Sequence, residues 1–213
     1  AQFLVWEYAV AVAGQMLGIN PFDQPNVAES KENTARLLAE AGTGPLPTGE
    51  PVLTDGAVEV YAEPGLLPAG GLAGVLDSLL MALPDRGYLA IMAYLDRDGE
   101  AAATGLRDAL ASRITHPVTF GWGPRFLHST GQYHKGGPQD GVFLQITGAV
   151  HSDVQVPGRD FTLGRLQLAQ ALGDIGALHQ RGRPAVRLHL RDRAAGLAQV
   201  LDAARAGATG SGR

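Results

Sequence analysis

The chain has no cysteine, and only Lys31 and Lys135 among its 17 basic residues are lysines. The absence of cysteine removes disulfides, thiol nucleophiles and thiolate metal ligands, and it fits a reducing compartment, so a cytoplasmic location is expected. Positive charge is scarce as a pattern too. Net charge is −4, with no basic face or tail, which argues against a nucleic-acid partner. No apolar run suits a membrane. The segment Phe3 to Leu17 contains Glu7 and Gln15 and lacks a basic flank and a cleavage site, so neither a signal peptide nor a membrane contact is expected. Aromatics are 6% of the chain, and Trp6 and Trp122 lack the basic neighbours of a base-stacking platform; core or interface positions are expected for both. The first residues lead into an apolar helical pattern without an initiating methionine, so a fragment of a longer protein is expected.

What is present is ordinary globular material, 213 residues with 45% hydrophobic and 18% charged content. Phe3 to Leu17 reads as a buried, alanine-rich helix ended by Gly18. A second helix starts near Pro25 and stops at Gly42. On it Val27, Lys31, Ala35 and Leu38 share a face, which sets Lys31 in an apolar stripe, either snorkelling outward or pointing into a site. Residues 43–56 read as a linker. Strands are expected at 57–63, 87–95, 116–122, 142–147 and 185–190. Helices are expected at 71–83, 99–114, 161–181 (capped by Asp160 and closed by Gly182) and 194–206. The tail 207–213 reads as disordered. This divides the chain into a helical segment 1–42, the linker, and an α/β domain 57–206. Alternating strands and helices predict a three-layer αβα sandwich with a mostly parallel sheet. Because only a loop is expected between the strands near 119 and 144, a ferredoxin-like α+β arrangement of 87–206 is the alternative.

The densest chemistry lies in FLHSTGQYHKGG, Phe126 to Gly137. This polar, glycine-rich segment between two strand-like runs reads as a loop, a common setting for binding or catalysis and equally a solvated connection. A lysine that persists where arginine serves every other cationic position offers a compact ammonium that arginine's planar fork cannot replace. His134 and Lys135 could bind phosphate or be plain exposed loop residues. The remaining histidines lack metal-ligand spacing, and His189, alternating with Leu188 and Leu190, reads as structural.

The stretch GINPFDQPNVAESK, Gly18 to Lys31, resembles the C-terminal signature of glucose-6-phosphate isomerases, in which an aromatic-Asp-Gln-x-x-Val/Ile run ends in a helical lysine. Phe22, Asp23, Gln24, Val27 and Lys31 match in type and spacing. LHSTGQ, from Leu127, is similar to the family's LHS-x-GQ segment, which sets His128 in the place of the ring-opening histidine and Gln132 in that of a nearby glutamine. The order is reversed relative to common isomerases and resembles the isomerase half of bifunctional transaldolase/glucose-6-phosphate isomerase proteins.

The resemblance implies a sugar-isomerase-type fold and catalytic roles for Lys31 and His128, with Gln132, Ser129 and Lys135 as candidate substrate-binding residues. It also implies no metal or organic cofactor, a homodimer, and a transaldolase domain with the rest of the isomerase upstream. Histidine can move the protons that open an aldose ring, and lysine can hold developing negative charge. The family's glutamate base and Ser/Thr-rich phosphate cradle have no counterpart here. Neither Glu7 nor Glu29 matches the base motif, so the isolated chain is expected to be inactive. A non-catalytic docking or dimerisation module and a sugar-phosphate-binding regulatory domain are the rival expectations.

Overall fold

The apolar runs assemble into one six-stranded sheet in the computed structural model, which describes residues 1–66 and 70–206. In chain order the elements are α1 (Gln2–Leu17), α2 (Pro25–Ala41), β1 (Leu53–Asp55), β2 (Val58–Ala62), α3 (Gly71–Met81), β3 (Tyr88–Tyr94), α4 (Gly105–Ala111), β4 (Val118–Trp122), α5 (Ser129–Gly136), β5 (Gly141–Gly148), α6 (Leu163–His179), β6 (Ala185–Leu190) and α7 (Arg193–Ala206). Across the sheet the order is β1-β2-β6-β5-β3-β4. β4, β3, β5 and β6 run parallel, while β2 and β1 add an antiparallel margin. The fold is thus an α/β layered sandwich. The ferredoxin-like alternative is overturned, because β4 and β5 are not a hairpin: β3 lies between them and α5 is their crossover.

Register separates two faces, since residues opposite one another on paired strands share a face. One face, packed on by α3, α4 and α7, is aliphatic: Leu89 and Ile91 lie beside Val142 and Leu144, then Val186 and Leu188. The other carries Met92, Gln145 and Arg187 on one rung and Tyr94, Thr147 and His189 on the next. Helices α2, α5 and α6 gather on this second side.

Three elements depart from expectation. The expected linker 43–56 contains β1, which pairs with β2 across a turn at Gly56, whose φ of 54° suits glycine. The α6 cap is Thr162, whose hydroxyl accepts from the Arg165 amide at 3.3 Å, and not Asp160. Helix α1 is exposed along almost its whole length, with Trp6 73% accessible; the expectation that α1 is buried is overturned within this chain, and of the core-or-interface expectation for Trp6 the core position is overturned. Its apolar character reflects no partner among the described residues of this chain. The tail expected to be disordered lies outside the described residues.

Candidate functional site

The expected loop at 126–137 is a single turn, Arg125–Leu127, followed by helix α5. Its glycines serve close approach. A Cβ at Gly131 would overlap the Phe126 carbonyl, and one at Gly136 would overlap the side chains of Asn26 and Gln132. α5 therefore seats directly against the start of α2. Its C-terminal end is closed by the buried Arg183, which donates to the carbonyls of Lys135 (3.2 Å), Gly137 (2.7 Å) and Pro138 (2.6 Å).

This helix buries His134 and Lys135, the two residues expected either to bind phosphate or to be exposed in a loop. Lys135 is 2% accessible, and its ammonium pairs with Asp174 of α6 and donates to the Phe126 carbonyl at 3.3 Å. Tyr94 completes the cluster, donating to Asp174 at 3.2 Å. Burial raises the Asp174 carboxyl, and the Lys135 ammonium opposes that rise. With its charge spent on Asp174 and no surface to offer, Lys135 is a structural cation; the sequence-based expectation of a substrate contact there is not met by its position. His134 is likewise buried, stacked on Phe126 with ring centres 5.7 Å apart. Burial and the nearby Lys135 and Arg183 charges push its imidazole down to about 4.

Gln132 joins the two segments that sequence separates by a hundred residues. Its side-chain oxygen accepts from the Asn26 amide at 3.0 Å, and its side-chain nitrogen donates to Asn26 Oδ1 at 2.8 Å. The first bond satisfies a helix-terminal donor of α2. Beside it Glu29 is gripped by Arg181 through two bonds, at 2.9 and 2.5 Å, which hold the carboxyl below its usual range against the opposing effect of burial. Glu29 is thereby a brace between α2 and the end of α6.

The buried stripe of α2 is Val27, Ser30 and Thr34, spaced i, i+3, i+7, and Thr34 packs on Gly173 of α6. The expected stripe through Lys31 and Ala35 is rotated toward solvent: both are exposed. Lys31 stands on the margin of the packed stripe and lines a cleft of about 640 Å³ between α2, α6 and the 158–161 loop. Leu127, Arg159, Asp160 and Gln170 share its walls. His128 and Ser129 are exposed at the start of α5, and His128 is the residue after Leu127 but does not itself line the cleft. The structure thus brings Lys31, Leu127 and, through Asn26, Gln132 into one neighbourhood, and leaves Lys135 on the inner side of α5.

A second cleft, of about 500 Å³, opens where β3 and β5 end and their connections diverge, the place where open parallel sheets commonly bind ligands. Thr147 and His189 form its floor and meet at 2.9 Å between Oγ1 and Nδ1. Burial first, and then the charges of Arg187 and Arg193, lower the His189 imidazole. Sequence alternation marks His189 as structural without finding its cross-strand partner, which only the register supplies.

No protein-family model matches the chain. A stretch of 37 residues is 51% identical to the glucose-6-phosphate isomerase of Leptospira biflexa serovar Patoc, with the same figures for two strains. That stretch is 17% of this chain and 8% of the isomerase. A crystal structure of hypothetical protein TT0462 from Thermus thermophilus superimposes with a TM-score of 0.55 at 18% identity, covering 65% of this chain and 40% of that one. This likeness shows the α/β fold. Among the described residues no helix is long and apolar enough to cross a membrane.

Proposed function

We propose that this chain is the C-terminal part of an aldose-ketose isomerase that interconverts glucose 6-phosphate and fructose 6-phosphate through ring opening and an enediol. The observation that carries the reading is the docking of the two resembling segments. α5, which begins beside His128, is tied through Gln132 to the first turn of the lysine helix, and Leu127 shares a cleft with Lys31. The short similarity to glucose-6-phosphate isomerases supports the same reading.

In it the exposed Lys31 ammonium holds charge developing on the sugar oxygen, and His128 transfers the ring-opening proton. Gln132 positions α5 against α2, and Ser129, exposed beside His128, is the remaining substrate contact. The enediol base is assigned to a part of the parent protein outside this chain, because the family's glutamate motif has no counterpart here and Glu29 is made a weak proton acceptor by Arg181, which occupies both its oxygens. The apolar, solvent-facing α1 supports a covering surface supplied by the rest of the parent protein or a second copy, with a transaldolase domain upstream as the proposed fusion. The chain alone is expected to be inactive, and turnover of fructose 6-phosphate by the purified chain would overturn that part.

His128→Gln in the full-length enzyme tests the reading. Isomerisation of the cyclic sugar should collapse while activity on sugar supplied as the open chain largely survives, because only ring opening is lost. Equal loss on both forms would give His128 another role, and undiminished activity on the cyclic form would remove it from the site.

A further inference from the structure

A separate cleft, of about 590 Å³, opens at the edge of the sheet between β4, Arg97 and the segment running from Pro124 to His134. The turn Arg125–Leu127 divides it from the Lys31 cleft: Leu127 lines that one, while Arg125 and Phe126 line this one. Among the described residues its walls hold two guanidiniums, Arg97 and Arg125, two hydroxyls, Thr119 and Thr130, and no carboxylate. Among the described residues neither arginine forms an ion pair or a side-chain hydrogen bond. Phe120 and Trp122 form an edge-to-face pair, with ring centres 5.1 Å apart, along the same strand. His134 lines the cleft while only 4% accessible, and its Nδ1 has no hydrogen-bond partner among the described residues.

Each feature specifies part of a ligand. Two like charges around one concavity repel, and an oxyanion between them relieves that repulsion and matches the guanidinium fork. A planar apolar body suits the ring of Trp122, which lies with Phe120 on the aliphatic side of the edge strand.

We propose that this cleft binds a small anion in which an oxyanion, phosphate or carboxylate, is joined to a planar ring. The oxyanion lies between Arg97 and Arg125 and the ring against Trp122. The site is independent of the isomerase reading.

The chain contains only two tryptophans, so Trp6→Phe leaves Trp122 as the sole reporter. In that background, titration with phenyl phosphate and with benzoate should give a saturable change in fluorescence for at least one, and the stronger binder identifies phosphate or carboxylate as the oxyanion. Phenol and inorganic phosphate should each bind more weakly than the better of the two. Arg97→Met and Arg125→Met should each weaken binding about tenfold, and added potassium chloride should weaken it in the parent protein. Lys31→Met should leave it unchanged, so failure here and failure of the isomerase reading are told apart. No saturable response to either anion would overturn the proposal. So would phenol binding as tightly as phenyl phosphate, or full affinity in both arginine variants.

Discussion

The two faces of the sheet are built on different principles. Toward α3, α4 and α7 the strands present leucine, isoleucine and valine, and this layer needs only shape and dryness. Toward α2, α5 and α6 the strands present Gln145, Thr147, Arg187 and His189, and the covering helices add Lys135, His134 and Asp174. Polar groups taken from water must find specific partners, so this side, beside its apolar cluster of Met92, Phe126 and Phe143, depends on directed bonds and is weakened when one partner is lost. The three clefts described above all open beside α2, α5, α6 or the strand ends next to them, and among the described residues none is lined by α3 or α7. The aliphatic face stabilises, and the polar face positions.

Breaking the polar face at its centre should cost most. Lys135→Met leaves the Asp174 carboxylate buried without its cation, and is expected to destabilise by about 3–5 kcal/mol in chemical denaturation. Restoring neutrality with Lys135→Met combined with Asp174→Asn should recover much of that loss. The aliphatic face sets the yardstick. Leu144→Ala, at a fully buried position, is expected to cost about 2–5 kcal/mol, with no partner whose change can rescue it.

Acid should act on the polar face through a buried imidazole. His134 is held near 4 when folded, against about 6.5 in the unfolded chain. Between those values the unfolded chain binds a proton that the folded chain refuses, so stability falls as pH drops from about 6.5 toward 4, and is unaffected by this group above 6.5. The loss should approach about 3 kcal/mol by pH 4. His134→Phe should remove this group's share of that fall, measured by denaturation midpoints across the window, and leave the share of His189, whose imidazole burial also lowers.

A smaller effect is expected at the seam between α5 and α2. Gln132→Leu strands the Asn26 amide and should cost about 1–3 kcal/mol, with faster hydrogen exchange in the first turn of α2. Smallest of all should be Gln145→Met. Gln145 donates to the Ala171 carbonyl at 2.9 Å while its own side-chain oxygen has no partner among the described residues, so a loss and a relief nearly cancel, and the change should stay within about 1 kcal/mol.

The difference between the faces also explains what could be read in advance. The parallel strands were legible because buried strands are written as unbroken apolar runs, as in Tyr88 to Tyr94. β1 was hidden by its three-residue length among turn-forming residues. α5 was hidden because Gly131 and Gly136 read as punctuation, whereas they permit contact with Phe126 and α2. The burial of Lys135 was hidden because its partner, Asp174, lies 39 residues away on another helix. Of the candidate site, the local pattern gave the position of Lys31 on a helix. The lining of its cleft depends on a rotation of the stripe by one residue, from Lys31 to Ser30, which spacing alone did not resolve. The apolar content of α1 was equally plain, but a sequence does not say whether the surface that covers a helix belongs to the same fold.

The central claim is that the cleft beside α2 uses the ammonium of Lys31 for chemistry. The most direct test is the kcat for fructose 6-phosphate isomerisation by the proposed full-length parent protein carrying Lys31→Met, with folding checked by its unfolding midpoint. Lys31 is exposed and makes no ion pair among the described residues, so stability should be unchanged within about 0.5 kcal/mol, while kcat should fall by about 10²–10³-fold, as for loss of a group that stabilises developing charge. An enzyme that folds normally and keeps its kcat would contradict the account.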